Sequence, residues 1–424
     1  MLAHLNSKFK KISIVKILMF ALLLRLILSP LSFHSDLNNN AIWGIYAREF
    51  GLRGFYDWLN FGNYARPDYP PLAMILFSAV RWVWELLFSI FWKINITIGL
   101  FPSKFIPWLE TSGYLLLLKL PGIFADIGIG YLIYVFIKEK HGQIKAKIAS
   151  SLFLFNIPVI YLSASWGQLD SVVTFFGLMA AIALLNKKYF SGLTNFFVSL
   201  MIKVTMAAAT PILVIQSIKN KISVKKIFIL SVIFVTYLFV IGQLYIDKEP
   251  IVWTVVTYWK KFVPGAVTLP YINLNAFNFW GLIFGLERLG DTTIYWRIPL
   301  SMWAWFITTP FFVIIFYKFW KGRGIFFSLL MTYFAAFMFL PRVHERYLYP
   351  IFVFFPLILI KFPRLIKIFI ILSVIFFINL YHWWWMPRIE FLAILFDFEI
   401  VERGLCFMNL AIFGYLFNIY LRKT

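Results

Sequence analysis

Runs of about 20 apolar residues, each long enough to cross a hydrocarbon core of about 30 Å, recur along the chain between short polar stretches. The pattern predicts helices near 12–31, 114–137, 147–164, 169–186, 191–206, 207–218, 226–246, 297–319, 324–340, 347–362, 365–383 and 404–421, about twelve spans in all. The pair meeting at Thr210-Pro211 is short, and the proline marks a broken or tilted helix there. Two longer intervals, 32–111 and 247–297, interrupt the series and are expected to carry interfacial helices. The fold class that follows is all-α and integral to a membrane, one polytopic domain over residues 1–424. The first run is followed by no small-residue cleavage site, so it reads as a retained span.

One stretch decides the orientation of all the others. Residues 72–92 are long enough to span, yet Arg81 and Glu85 stand near their middle. A charge at a helix centre costs about 2.5–3.5 kcal/mol on insertion scales. If this stretch stays on the external side, every basic cluster falls in the cytoplasm. Those clusters are Lys8 to Lys16; Lys138, Lys140, Lys145 and Lys147; Lys187 and Lys188; Lys219 to Lys226; Lys318, Lys321 and Arg323; Lys361, Arg364 and Lys367; and Arg422 with Lys423. That parity puts both termini inside and the long intervals outside.

Composition narrows the function. At 62% hydrophobic and 14% charged, the chain is too apolar for a water-soluble globule. A net charge of +22 suggests nucleic acid in a soluble protein, but here it is spread over loops between apolar runs, so no nucleic-acid partner is expected. A single cysteine, Cys406, excludes an internal disulfide and any Cys-rich metal site. No Gly-rich phosphate loop supports ATP or NAD as a cofactor.

Most of the sequence-specific polar residues fall on the external side. Asp36 follows the first span, and Asp68-Tyr69-Pro70-Pro71-Leu72 lies in the middle of the first interval. Trp166-Gly167-Gln168-Leu169-Asp170-Ser171 sits between predicted spans, as does Arg342-Val343-His344-Glu345-Arg346-Tyr347. Asn275, Asn278 and Trp280 stand in the second interval, and Lys203 at the external end of a span. A carboxylate at the water–lipid boundary stays ionised and reaches a headgroup, so Asp36 reads as a catalytic base. Moving a glycosyl group off a lipid phosphate needs such a base for the acceptor hydroxyl and fixed cations for the departing phosphate. Arg grips phosphate through two donors, His or Lys through one. Aromatic faces such as Trp43, Trp58, Trp166 and Trp280 are suited to bound a sugar. Each residue also has a plainer reading. Asp36 and Asp170 are equally placed to cap helices, Asp68 to open a turn, Lys203 and Arg346 to anchor at headgroups, and Trp383-Trp384-Trp385 to form an interfacial belt. Arg25 and Asp126, inside spans, are either a structural pair or the lining of a lipid groove.

These strings, with Lys119-Leu120-Pro121 and Phe124-Ala125-Asp126, Asn275-Ala276-Phe277-Asn278-Phe279-Trp280 and Val343-His344-Glu345-Arg346-Tyr347-Leu348-Tyr349-Pro350, resemble the GT-C superfamily of polyprenol-phosphate-sugar glycosyltransferases. The nearest likeness is to the endoplasmic-reticulum glucosyltransferases that extend the dolichol-linked oligosaccharide, and to their prokaryotic relatives. It runs in order from Asp36 to Pro350. The resemblance implies an inverting, metal-independent transfer at the external leaflet with Asp36 as base, and a polyprenyl-phosphate sugar as donor substrate in place of any cofactor. It implies a glycan or glycolipid acceptor and interfacial helices in the first loop. His344, Arg346, Arg342, Lys203, Gln168, Asp170 and Trp166 are expected around the donor, and Asp68, Tyr69, Asn275 and Asn278 toward the acceptor or behind the site. The Gln168 and Asp170 string departs from the eukaryotic pattern, so sugar identity does not carry over. The alternative is a transporter or flippase of a lipid-linked or sugar substrate. Such proteins show paired halves with matching broken helices, and no such symmetry is visible here.

Overall fold

The computed structural model describes residues 11–57, 60–262 and 269–422. Lys8, Trp58 and Lys423, singled out above, lie outside them. The described chain is almost wholly helical; its strands are two short two-stranded pairs. Seven helices among the described residues are long and apolar enough to cross a bilayer: Ile14–Leu31, Pro71–Thr97, Phe105–His141, Val224–Tyr245, Leu300–Trp320, Pro363–Tyr381 and Glu399–Leu421. An eighth is the pair Gln143–Leu154 and Ile157–Trp166, bent by 57°. This is an all-α, multi-pass membrane protein. Several of the other predicted spans are shorter apolar helices, among them Asp170–Leu185, Tyr189–Ile202, Val204–Lys219 and Ile325–Phe339.

The outer helices keep apolar side chains on their surface because lipid, unlike water, does not drive them inward. Val224–Tyr245 exposes Phe228, Val232, Val235 and Phe239. The core instead gathers on Ile325–Phe339 and Tyr349–Leu359, whose residues are buried almost without exception around the whole helix. Such all-round burial matches their uniform apolarity.

Two local breaks shape the functional face. Asn156 precedes Ile157-Pro158, and the proline opens a new helix in its first turn, where its missing N–H costs nothing. That helix widens into a π-turn over Tyr161–Trp166 and stops at Gly167, which is left-handed at φ 83°. A Cβ at Gly167 would meet Leu37 Cδ2 at 2.7 Å, so this corner packs against the helix that follows the first span. The second break differs from the sequence expectation. It falls at Lys203, whose extended backbone separates Tyr189–Ile202 from the next helical turn, rather than at Pro211. Pro211 sits in the first turn of Thr210–Lys219, a position that tolerates it.

The first interval folds as a polar helix, Asp36–Glu49, laid along Pro71–Thr97. The two helices are joined by Arg48–Glu85 at 3.0 Å, and Arg81 stands over the Trp84 ring at 4.0 Å. In the second, Asn273–Leu274 pairs in parallel with Val343–His344, fastening that loop to the turn before Tyr349–Leu359.

Candidate functional site

A chamber of about 590 Å³ opens where these pieces meet. Asp36, Asp68, Tyr69, Lys203, Asn275, His344, Glu345, Arg346 and Trp384 all line it, so the first loop and the 342–346 turn face one common space.

Asp36 begins its helix immediately after the first span and is held from one side only. Its Oδ2 accepts hydrogen bonds from Gln168 Nε2 at 2.7 Å and Trp166 Nε1 at 3.2 Å. Both donors come from the π-turn corner, and Gln168 Oε1 in turn accepts from the Tyr69 hydroxyl at 3.0 Å. Trp166 and Gln168, expected at the donor sugar, therefore grip the carboxylate instead. Asp36 Oδ1 accepts no hydrogen bond among the described residues; His34 Nδ1 lies 3.7 Å from it. That nitrogen already accepts the Asp36 backbone N–H at 3.0 Å, which leaves the His34 proton on Nε2. His34 is stacked on Trp166 and set edge-on to Trp384, both at 4.3 Å between ring centres. Burial among these rings pushes its pKa down to about 4, so it is a neutral wedge at physiological pH. Asp36 thus keeps one oxygen free of cationic partners.

The cationic side is built from paired charges. Lys203 Nζ donates to Asp170 Oδ2 at 2.8 Å, and its ammonium stands over the Tyr69 and Tyr347 rings at 5.4 and 5.5 Å. Asp170 does not reach the chamber wall; it serves as the counter-ion of Lys203. Arg346 donates to Glu345 Oε1 at 3.2 Å, while its buried Nε has no partner. That unmatched N–H is a ready donor for an anionic oxygen. Burial, with Arg346 and Lys203 adding to it, drives His344 well below the usual imidazole range. Burial raises Glu345, against the pull of Arg346. Asp68 is exposed on the chamber wall. Desolvation lifts its pKa to about 6 in spite of Arg346 and Lys203.

Three expected residues stand elsewhere. Arg342 is turned away and pairs with Asp291 at 2.6 Å, in a left-handed conformation with φ 59°. Asn278 caps the Phe279–Phe284 helix by accepting from the Trp280 and Gly281 N–H groups. Trp280 lines a separate apolar groove with Phe284, Tyr295 and Trp303. Trp43, by contrast, does line the chamber. Sequence reasoning missed Asn39, Asn40, Arg66 and Arg288, which also line the chamber, and it read Trp384 as interfacial belt. The proximity of Asn39 and Asn40 to Asp36 on one helix was the available signal.

Behind the chamber, Arg25 and Asp126 are a fully buried pair at 2.9 Å, which settles the alternatives left for them in favour of a structural pair. Asp126 also accepts from Ser163 at 2.6 Å and from Ser171 and Tyr349 at 2.7 Å each. A cluster whose donor atoms lie within 4.8 Å of one another, as a metal would require, is His382, Asp397 and Glu402, and none of these lines the chamber. Chemically, the chamber can hold an anion against Arg346 and Lys203 while a free carboxylate oxygen receives a proton. No family model and no curated protein matches this chain.

Proposed function

We propose that the protein is an inverting glycosyltransferase, moving a monosaccharide from a polyprenyl-phosphate donor to a hydroxyl of a lipid-linked glycan or surface polymer at the external membrane face. The observation that carries this reading is the free Oδ1 of Asp36 in one chamber with Arg346 and Lys203. The acceptor hydroxyl oxygen attacks the anomeric carbon as its proton passes to Asp36 Oδ1. The bond from that carbon to the phosphate oxygen breaks, the electron pair leaves with the polyprenyl phosphate, and the configuration inverts. Arg346 and Lys203 offset the growing phosphate charge, and neutral His344 donates through Nε2 once Nδ1 accepts from Arg346 at 3.4 Å. The cations supply the positive charge a metal would otherwise bring.

The same reading takes about twelve spans, both termini inside and Pro71–Thr97 lying in the external interface. Its packing along the polar Asp36–Glu49 helix, and the tie of its central Glu85 to Arg48, support that assignment. The test is Asp36→Asn with a labelled polyprenyl-phosphate sugar in membranes. Transfer is expected to fall by about 10²- to 10⁴-fold while donor binding persists. Unchanged transfer removes Asp36 from the role, and movement of substrate across liposomes without a new glycosidic bond replaces the enzyme with a transporter.

A further inference from the structure

We infer that Asp126, counter-charged by Arg25, is a positioning residue that sets the base, its clamp and the phosphate-binding turn in register from inside the membrane. Its four donors come from four separate segments, and each segment leads directly into the site. Arg25 lies on the helix that runs out to Asp36. Ser163 stands one turn before Trp166 and Gln168. Ser171 follows Asp170, the partner of Lys203. Tyr349 is three residues past Arg346.

The helix that carries Asp126 reinforces this with two further contacts toward the same segments. Lys119 donates to the carbonyls of Ser29 at 2.6 Å and Ser32 at 2.5 Å, gripping the chain just before Asp36. A Cβ added to Gly122 would lie 2.9 Å from the carbonyl oxygen of Gln168, so helix and clamp are in backbone contact. Between them, Asp126 Oδ1 and Oδ2 bind the four donors with two each. An ion pair needed only for insertion would not require donors from four segments that lead toward the chamber.

A double replacement separates positioning from stability, because apolar residues of similar volume often substitute for a buried ion pair without loss of fold. Arg25→Met with Asp126→Leu is expected to keep a cooperative thermal transition. Spin labels at Asn38→Cys and Pro341→Cys, which flank the base and the phosphate-binding turn, should give one narrow distance in the parent and a broadened one in the double variant. Turnover should fall about 10- to 100-fold, the cost of misplacing reacting groups by about an ångström. If the double variant does not fold, the single changes decide. Tyr349→Phe is expected to raise the donor KM with little change in kcat, and Ser163→Ala to lower kcat with little change in donor KM. An unchanged distance and turnover in a folded double variant, or single variants without that split, overturns the inference. The turnover measurements rest on the glycosyl-transfer reading. The distance measurement does not, so a parent that transfers no sugar refutes that reading while leaving positioning still measurable.

Discussion

Asp36 and Asp126 are both carboxylates at convergence points of several segments, and they are satisfied in opposite ways. Asp126 is sealed, with two donors on each oxygen and an arginine among them. Asp36 has both donors on Oδ2 and leaves Oδ1 facing the chamber. A fully coordinated carboxylate has no lone pair left for a substrate and can only hold its neighbours in place. One coordinated at a single oxygen is oriented and still able to take a proton. Burial alone would have ranked the two the other way, since the more deeply enclosed group is the less reactive.

The sharpest way to break this contrast is to neutralise each acid in turn. Asp36→Asn should lower turnover by about 10²- to 10⁴-fold, the range of general-base catalysis, with the thermal midpoint unchanged. Asp126→Asn should instead destabilise by about 3–5 kcal/mol, because Arg25 is left buried without its counter-charge, and thermal unfolding in detergent checks it. If the first change loses stability and the second only turnover, the distinction fails. A smaller effect comes from loosening the grip on Oδ2. Gln168→Leu removes the shorter of the two hydrogen bonds that orient the Asp36 carboxylate. Turnover at neutral pH should drop about tenfold, the scale of one hydrogen bond to a charged group.

The smallest expected effect concerns Asp68, whose pKa stands near 6. As pH falls from 7.5 to 5.5 it gains a proton and the chamber becomes more positive by up to one charge. A phosphodiester donor, which keeps its single negative charge over that range, should then bind more tightly by about 1 kcal/mol. Asp68→Asn should bind as the low-pH parent does and lose the dependence, as read from donor titrations at the two pH values. The sign follows from the raised pKa: below it the carboxyl is neutral, above it the negative charge opposes the donor.

Much of this was legible in the chain before any coordinates. Apolar length marks the seven long helices, though it also counts several shorter ones as spans, and the polar strings that interrupt them supply twelve of the residues on the chamber wall or in its grip on Asp36. What could not be read were roles set by contacts distant in sequence. Arg342 has the composition of an anion ligand, and only the approach of Asp291 from another loop turns it away. In the run Trp383-Trp384-Trp385 the three side chains are identical, and the packing of His34 against the middle one assigns it to the chamber. Gln168 looks like a sugar ligand until Tyr69 and Asp36 are seen to occupy both ends of its amide. The break at Lys203 lacks a proline or glycine signal because an ion pair and two aromatic faces hold its ammonium there.

The corner at Gly167 has a bearing on how such a protein can diversify. Its left-handed backbone and the absence of a side chain let Leu37 lie against it, which locks the Trp–Gly–Gln corner to the start of the neighbouring helix. The contacts that hold the Asp36 carboxylate thus lie behind it. The exposed Arg66 and Arg288, at the lip of the chamber's lining, take no part in them. Substitutions at that lip can retune which molecules are admitted while the machinery at its back stays untouched, much as a lathe accepts new stock without rebuilding the spindle.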